Sequence, residues 1–362
     1  MGKLDEALAL VRGAIRGMDG YVPGLQPSAG QRLVKLNTNE NPYPPSPRVL
    51  EALHAAIDGS LRLYPSPDAA GLRSLAAARF GITADQVLCG NGSDEILALI
   101  MRAFVDQEDS VAFFQPSYSL YPVLASMSQA HSVRVPLARV KSEKEVDALP
   151  VPSPSAKIFF LTTPNSPYGY VFPASWTAKL LSTFPGIVVA DEAYVDFADE
   201  SSLPLLAENP RLLLVRSMSK SSSLAGMRVG FVFGHPAMIA QIAKVKDSYN
   251  VSRLAQVAAC ASLEDEGYAR TTRNRIVATR ERLTQRLQAL GFVVPPSRAN
   301  FVFAATPDGK SARPLYDALL GHGFLVRHFD SDGLSDGLRI SIGSNEDMDA
   351  LLASLQGEMS GG

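Results

Sequence analysis

Seven short apolar runs constrain the fold of this chain more strongly than any other feature. They are DQVLCG (85–90), DSVAFF (109–114), HSVRVPL (131–137), KIFFLTT (157–163), GIVVADEA (186–193), RLLLVRS (211–217) and VGFVFG (229–234). Most are apolar throughout, as expected of strands whose two faces are both covered by helices. Segments with helical spacing, such as SDEILALIMRAF (93–104) and PASWTAKLLSTF (173–184), lie between several of them. The alternation predicts an α/β fold with a mainly parallel, doubly wound sheet.

The pattern changes after residue 252, where a long helical segment (254–291) begins. Further helical segments and strand-like runs follow it, which is the pattern of a separate α+β unit. The strand-like runs are GFVVPP (291–296), NFVFAAT (300–306), GFLVRHF (323–329) and LRISIG (338–343). A chain of 362 residues is long enough for two domains. We predict an N-terminal arm and part of a small domain over 1–45, a large domain over 46–252, and a small C-terminal domain over 253–362.

The N-terminal segment has the pattern of a helix rather than of a targeting signal. Residues 4–15 carry apolar side chains at helical spacing, which predicts one buried stripe. Asp5 and Glu6 lie where a secretory signal would carry positive charge. No apolar run reaches the roughly 18 residues of a membrane-spanning helix, so we expect a cytoplasmic protein without a membrane partner.

Charge and cysteine content narrow the class of function. The 34 basic and 36 acidic residues nearly cancel to a net charge of −2, which argues against nucleic acid as a partner. Cys89 and Cys260 lie far apart in the sequence, and the five histidines are scattered without ligand spacing. We therefore predict no metal site.

Several of the predicted strands are followed by side chains suited to ligand binding, at the positions where open α/β sheets carry their chemistry. GNGSDE (90–95) places glycines before a helix capped by Ser93 or Asp94, whose free backbone N–H groups can hold a phosphate. QPSYSLY (115–121) places Tyr118 where its ring can stack on a flat ligand, or equally pack in the core. The turn PNSPYG (164–169) can present Asn165 or Ser166 to a ligand.

Two charged residues belong to otherwise apolar or small-residue segments. Asp191 ends an apolar strand, so its carboxylate needs a partner or caps a helix. Lys220 lies in VRSMSKSSSLAGMRVGF (215–231) among five serines, with Arg228 eight positions later. SMSK also matches the S-x-x-K motif of serine β-lactamases, but the K-T-G and S-D-N elements of that class do not occur in the chain.

Together these groups match pyridoxal 5′-phosphate part by part. A lysine can form a Schiff base with its aldehyde, and an aspartate can keep its ring nitrogen protonated so that the ring withdraws electrons. Serines, an arginine and the backbone N–H groups of a helix start can hold its phosphate.

The sequence resembles the class I and II aminotransferases of fold type I, and within them the histidinol-phosphate aminotransferases. The motifs that carry the resemblance occur in family order along nearly the whole chain: YVPG (21–24), KLNTNENPYPPSP (35–47), YPSPDAAGLR (64–73), GNGSDEIL (90–97), PSYSLYPV (116–123), DEAYVDF (191–197), SMSKSSSLAGMRVGF (217–231), ANF (299–301) and LRISIG (338–343). The resemblance implies a large cofactor-binding domain with a mainly parallel seven-stranded sheet, plus a smaller α+β domain.

The resemblance also implies a role for each matched residue. Lys220 would form the Schiff base and move the proton, Asp191 would pair with the pyridine nitrogen, and Tyr194 would bond the ring hydroxyl. The other implied cofactor-binding residues are Ser93, Asp94, Tyr118, Asn165, Ser217, Ser219, Arg228 and Tyr64. Tyr64 would reach the phosphate from the second subunit of a homodimer. The implied substrate-binding residues are Tyr21, Asn41, Arg327 and Arg339.

The implied activity is transamination of L-histidinol phosphate with 2-oxoglutarate in histidine biosynthesis, with glutamate as the usual amino donor. Arginine suits such a pocket, because its planar fork binds both carboxylate and phosphate. An aromatic amino-acid aminotransferase, a threonine-phosphate decarboxylase-like enzyme and a broad-specificity relative stay open as alternatives. They would keep the same cofactor residues and differ in the substrate pocket.

One motif departs from the family pattern P-N-N-P-T-G. Ser166 stands where the family has the asparagine that bonds the ring hydroxyl, and Tyr168 stands in place of the threonine. Ser166 or Asn165 can take over this contact, or Tyr194 can make it alone.

Overall fold

The computed structural model describes residues 2–27, 30, 33–331 and 333–360. Its helices are α1 (Lys3–Ala9), α2 (Gly13–Arg16), α3 (Pro47–Ala56), α4 (Ala70–Phe80), α5 (Ser93–Phe104), α6 (Leu120–Met127), α7 (Glu143–Asp147), α8 (Ala174–Thr183), α9 (Pro236–Lys244), α10 (Arg253–Glu264), α11 (Glu266–Ala289), α12 (Arg313–Gly321) and α13 (Asn345–Ser360). Its strands are β1 (Val34–Lys35), β2 (Val87–Gly90), β3 (Ser110–Gln115), β4 (His131–Pro136), β5 (Ile158–Thr162), β6 (Ile187–Asp191), β7 (Leu212–Ser217), β8 (Gly230–Gly234), β9 (Phe301–Ala305), β10 (Phe324–Leu325), β11 (Arg327–His328) and β12 (Gly337–Ser341).

The seven apolar runs form one seven-stranded sheet, in the order β2-β8-β7-β6-β5-β3-β4. All neighbours are parallel except β8, which is antiparallel to both β2 and β7. The central strands β5 and β7 are buried along their whole length, because apolar clusters cover both faces of the sheet. The expected α/β architecture with a mainly parallel sheet is confirmed.

The carboxyl ends of β3, β5, β6 and β7 lie at one edge of this sheet. The register pairs Thr162 at the end of β5 with Asp191 at the end of β6. Ser217 ends β7 and leads directly into the segment that carries Lys220. The side chains predicted to carry the chemistry therefore lie close together, as expected of parallel strand ends.

A smaller unit packs beside this sheet. Its antiparallel sheet has the order β11-β12-β9, and β1 pairs in parallel with β10. Helices α11, α12 and α13 cover these strands and contribute to a separate apolar core. Because β1 comes from the N-terminal segment, the two ends of the chain meet in this unit. The division at 45 and 252 stays a prediction, and α10 packs on α3 and α4 in the core of the large sheet.

Three local expectations differ from the structure. The long helix predicted over 254–291 is interrupted at Asp265, whose backbone leaves the helical region (φ −108°, ψ 55°). The run GFVVPP makes only an isolated bridge from Val293 to Ala305, since the two prolines that follow have no N–H to donate. Gly92, rather than Ser93 or Asp94, is the N-cap of α5.

The N-terminal helical segment divides into α1 and α2 instead of forming one helix, and its apolar stripe is not buried. Leu4 and Leu8 are 70% and 51% exposed, and Val11 and Ile15 are also exposed. Among the described residues, no helix is long and apolar enough to cross a membrane. The same residues contain no group of three or more His, Cys, Asp or Glu side chains arranged to hold a metal ion.

Candidate active site

The strand ends and the small unit enclose a cavity of about 460 Å³. Of the fifteen residues with an implied cofactor-binding or substrate-binding role, twelve line it: Tyr21, Ser93, Asp94, Tyr118, Asp191, Tyr194, Ser217, Ser219, Lys220, Arg228, Arg327 and Arg339. They come from the large sheet, the N-terminal segment and the small unit, so the cavity forms only when these parts pack together.

Lys220 provides an amine in this cavity. Its Nζ donates a hydrogen bond to the backbone oxygen of Thr38 at 3.0 Å and lies 5.7 Å from the centre of the Tyr194 ring. Burial lowers the pKa of the Lys220 ammonium to about 8, and the nearby Arg339 charge acts in the same direction. About a tenth of the amine is therefore neutral, and so nucleophilic, at pH 7.

Asp191 provides a buried carboxylate on the cavity wall. Its Oδ2 accepts a hydrogen bond from the Tyr121 hydroxyl at 2.8 Å, and its Oδ1 accepts one from the backbone N–H of Ala193 at 3.3 Å. Burial raises the pKa of Asp191 to about 6, even though both hydrogen bonds act to lower it. A cation seated against this carboxylate would stabilise its charged form.

An anion cradle lies at the start of α5. Gly92 has φ +89°, and a Cβ there would lie 2.4 Å from Nη2 of Arg228, so only glycine lets the guanidinium approach the helix terminus. Ser217 and Ser219 come from the adjoining strand end, and Nη1 of Arg228 is 3.5 Å from the Ser219 hydroxyl. Helix N–H groups, hydroxyls and a guanidinium are the donor set that phosphate prefers.

Aromatic and acidic side chains border the cradle. The hydroxyl of Tyr118 donates to Oδ1 of Asp94 at 2.9 Å, and Nη2 of Arg228 lies 3.3 Å from Oδ2 of the same carboxylate. Tyr21 packs edge-on against the Tyr118 ring, with the ring centres 6.0 Å apart. Asp94 therefore fixes both the arginine and the aromatic ring.

Two arginines of the small unit, Arg339 and Arg327, also line the cavity. Arg339 donates to the Ser166 hydroxyl at 3.0 Å and to the Asn37 backbone oxygen at 2.8 Å, so its guanidinium is held in place. Arg327 lies over the Phe329 ring at 5.4 Å and lines the same cavity. These two guanidinium groups suit the cavity to carboxylate or phosphate groups.

Tyr194 is positioned by residues from the small unit. Its hydroxyl accepts a hydrogen bond from Nδ2 of Asn39 at 3.0 Å. Asn39 in turn bonds the Ser341 hydroxyl through both its backbone N–H and its Oδ1, at 2.9 Å each, and its backbone oxygen accepts from Asn300. This network joins Tyr194 of the large sheet to β12.

The comparisons with known proteins agree with this geometry. The family model described as aminotransferase class I and II matches residues 31–355. The chain belongs to this family.

Relatives of this aminotransferase match nearly its whole length. A histidinol-phosphate aminotransferase from Geobacter sulfurreducens is 43% identical over 95% of this chain and 98% of that protein. Histidinol-phosphate aminotransferase 2 from Burkholderia mallei is 44% identical over 94% of this chain and 96% of its own length. The crystal structure of histidinol-phosphate aminotransferase from Sinorhizobium meliloti, in complex with pyridoxal-5′-phosphate, superposes with a TM-score of 0.87 at 25% identity and covers 98% of both chains.

Three of the residues singled out in the sequence do not line the cavity of this aminotransferase. Asn165 is fully buried, and its Nδ2 lies 3.5 Å from the Pro116 oxygen, whereas Ser166 lines the cavity. Nδ2 of Asn41 donates to the backbone oxygen of Lys220 at 3.0 Å, so Asn41 holds the backbone of the lysine in place. Tyr64 is 80% exposed on the outer surface.

Sequence reasoning missed several residues that support the site. Tyr121 and Thr162 lie beside Asp191, Asn39 holds Tyr194, and Glu40 lines the cavity near Lys220. Tyr121 occurs in the motif PSYSLY, three residues after Tyr118 and therefore on the same side of a helical turn. That spacing was the available signal.

Proposed function

We propose that this chain transaminates L-histidinol phosphate with 2-oxoglutarate, using pyridoxal 5′-phosphate. The observation that carries the proposal is the meeting of three groups in one cavity: the Lys220 amine, the Asp191 carboxylate and the anion cradle around Arg228. Each has the chemistry that one part of the cofactor needs. Full-length relatives named histidinol-phosphate aminotransferase support the choice of substrate.

The residues of the cavity fit the cofactor. Ser93, Ser217, Ser219 and Arg228 would hold its phosphate, and Tyr118 would stack on its ring. Asp191 would hold the proton on the ring nitrogen. Ser166 and Tyr194 line the cavity and would bond the ring hydroxyl, whereas the buried amide of Asn165 points to a supporting role. When bound, pyridoxal phosphate supplies an electron-withdrawing ring that stabilises negative charge developing on the substrate Cα.

Lys220 would carry the proton during the reaction. In its neutral form the amine can accept the proton from the substrate Cα. It would then deliver this proton to the cofactor carbon that is bonded to the substrate nitrogen. The Thr38 backbone oxygen orients the amine. Asn41 fixes the backbone that carries it. Asp191, in its charged form, would keep the ring nitrogen of a bound cofactor protonated and so make the Cα proton easier to remove.

Arg327, Arg339 and Tyr21 would bind the anionic groups of the substrates. The phosphate of histidinol phosphate and the two carboxylates of glutamate or 2-oxoglutarate can each accept two N–H groups of one guanidinium, so the same arginines can serve both half-reactions. Arg339 is fixed by Ser166 and Asn37, which suits it to a carboxylate close to the reacting carbon. The proposed place in histidine biosynthesis also predicts a cytoplasmic enzyme.

A homodimer would complete the site. The Tyr64 ring stacks on Tyr249 with centres 4.5 Å apart and does not line the cavity of its own chain. Leu61 and Leu63 beside it, and the apolar stripe of α1, are exposed as well. We propose that a second copy covers these surfaces and receives Tyr64 at its cofactor phosphate.

A spectroscopic titration tests the substrate assignment. The purified protein is loaded with pyridoxal phosphate, and its visible absorption is followed as histidinol phosphate, phenylalanine or threonine phosphate is added. The proposal expects the spectrum to respond to histidinol phosphate at far lower concentration than to the other two. A stronger response to phenylalanine would reassign the chain to the aromatic aminotransferases. A protein that takes up no cofactor would contradict the proposal entirely.

A further inference from the structure

A line of hydroxyl groups leads from the cavity wall to Asp191. The Tyr121 hydroxyl lies 2.8 Å from Oδ2 of Asp191 and 2.6 Å from Oγ1 of Thr162. Oγ1 of Thr162 lies 3.0 Å from the hydroxyl of Ser117, and both of these residues line the cavity. Three elements therefore contribute to one hydrogen-bonded line: the end of β5, the loop after β3, and the first turn of α6.

The chemistry of the end group sets the direction of this line. A charged carboxylate only accepts hydrogen bonds, so Tyr121 must donate its single proton to Asp191. The tyrosine oxygen is then an acceptor for Thr162, and Thr162 is an acceptor for Ser117. Every donor points toward the carboxylate. Successive hydrogen bonds of one direction polarise and strengthen one another in a buried setting.

Packing holds Tyr121 in this position. Its side chain is fully buried, its ring stacks on Phe160 with centres 4.6 Å apart, and its edge meets Tyr118 at 5.7 Å. The ring therefore cannot swing away from Asp191 without disrupting the core under the sheet. A phenylalanine ring would pack in the same way, so the packing does not require the Tyr121 hydroxyl.

The other charged groups near Asp191 do not replace this donor. Asp94 on α5 is an acid and raises the pKa of Asp191, as does Glu192. Glu192 is paired with Arg216 at 2.8 Å, so that arginine is already engaged. Lys220 and Tyr194 line the cavity, but their hydrogen bonds go to Thr38 and Asn39. Among the residues that the structure describes, the side-chain donor to Asp191 is the Tyr121 hydroxyl.

We propose that Tyr121 is a positioning residue that, backed by Thr162 and Ser117, orients the Asp191 carboxylate and keeps it charged for the ring nitrogen of the cofactor. The inference rests on the proposed function, because it assumes that this nitrogen binds Asp191. Without the hydroxyl, the Asp191 carboxylate is less well aimed at the ring nitrogen, and its charge stabilises the protonated nitrogen less. The fraction of ring nitrogen that carries a proton therefore falls.

The test is Tyr121→Phe, loaded with pyridoxal phosphate that carries ¹⁵N at the ring nitrogen. The ¹⁵N chemical shift reports protonation of that nitrogen directly, independently of turnover. We expect the wild-type nitrogen to stay protonated into the alkaline range and the variant nitrogen to lose its proton about one pH unit lower, a tenfold change in the equilibrium. Thr162→Val should shift the transition in the same direction by less, since Tyr121 can still donate. Turnover in Tyr121→Phe should fall in kcat more than it changes KM.

Tyr170→Phe is the matched control. Tyr170 is equally buried and its hydroxyl accepts from the Val140 backbone N–H at 2.6 Å, away from Asp191. This variant should keep the wild-type ¹⁵N transition. The proposal is overturned if Tyr121→Phe keeps it too, or if Tyr170→Phe shifts it equally. Failure of the proposed function looks different, because the wild type would then bind no labelled cofactor.

Discussion

At the residue scale, the reactivity of Lys220 depends on its surroundings. Burial lowers the pKa of this ammonium from 10.5 to about 8, so the neutral amine dominates above that pH. The rate at which apoprotein reacts with pyridoxal phosphate, followed by absorbance, should rise with pH and reach half its maximum near pH 8. Lys220→Met should show no such saturable reaction. A half-maximum near 10.5 would mean that the amine is not desolvated.

We expect Arg327, one of the two arginines of the small unit, to bind the substrate phosphate. Arg339 is held by Ser166 and Asn37, whereas Arg327 lies on Phe329. Charge-assisted hydrogen bonds contribute about 1.5–3 kcal/mol, and the planar fork can make two of them to one phosphate. Arg327→Lys should therefore raise KM for histidinol phosphate about tenfold or more with little change in kcat.

The control for this prediction is Arg313→Lys. Arg313 forms a surface pair with Asp317 at 3.1 Å, and its loss should leave KM unchanged. Equal KM values for wild type and Arg327→Lys would show that Arg327 does not bind the substrate phosphate.

Sequence reasoning recovered most of the residues that line the cavity, because their types and their positions after strands follow from the chemistry of the ligand. It could not choose between Asn165 and Ser166, which are neighbours in one turn. Only the folded turn shows that Ser166 faces the cavity while Asn165 is buried. Tyr121 was missed for a related reason: a tyrosine in an apolar segment has the pattern of a core residue until its hydroxyl is seen at Asp191.

At the scale of elements, the junction of β2 and α5 depends on one glycine. Gly92 has φ +89° and ψ 169°, a region that costs other residues about 1–3 kcal/mol, and a Cβ would press on Arg228. Gly92→Ala should raise the dissociation constant for pyridoxal phosphate about tenfold or more, measured by fluorescence titration.

Gly226→Ala is the comparison for this change. It lies two residues before Arg228, and a Cβ there meets no atom within 4 Å. Its cofactor affinity should match the wild type. If Gly92→Ala bound the cofactor as tightly as Gly226→Ala, the cradle would not depend on close approach of Arg228.

The strands of the large sheet were predictable because burial on both faces leaves a continuous apolar run. The strands of the small unit were less predictable from the sequence. GFLVRHF divides into β10 and β11, which belong to different sheets, and this depends on contacts with β1 and β12 far away in the sequence. The break at Asp265 likewise depends on a tertiary contact, since its carboxylate accepts from the Ser46 hydroxyl before α3.

At the scale of the whole molecule, the exposed α1 stripe and the exposed Tyr64 have one common explanation. The apolar spacing over residues 4–15 predicts burial, but Leu4 and Leu8 face solvent in the single chain. A second copy would bury them by the same hydrophobic effect that stabilises a core. The stripe would then be an interface feature, which a sequence pattern cannot distinguish from a core feature.

Mixing two defective variants tests whether Tyr64 crosses between subunits. Lys220→Ala removes the amine, and Tyr64→Ala removes the proposed partner contact to the cofactor phosphate. Each should be nearly inactive alone at a low cofactor concentration. After the two are unfolded and refolded together, about half of the dimers are mixed, and each mixed dimer has one intact site. Activity should return to about a quarter of the wild-type value. If Tyr64 served the site of its own chain, every site in the mixture would keep one lesion, and no activity would return.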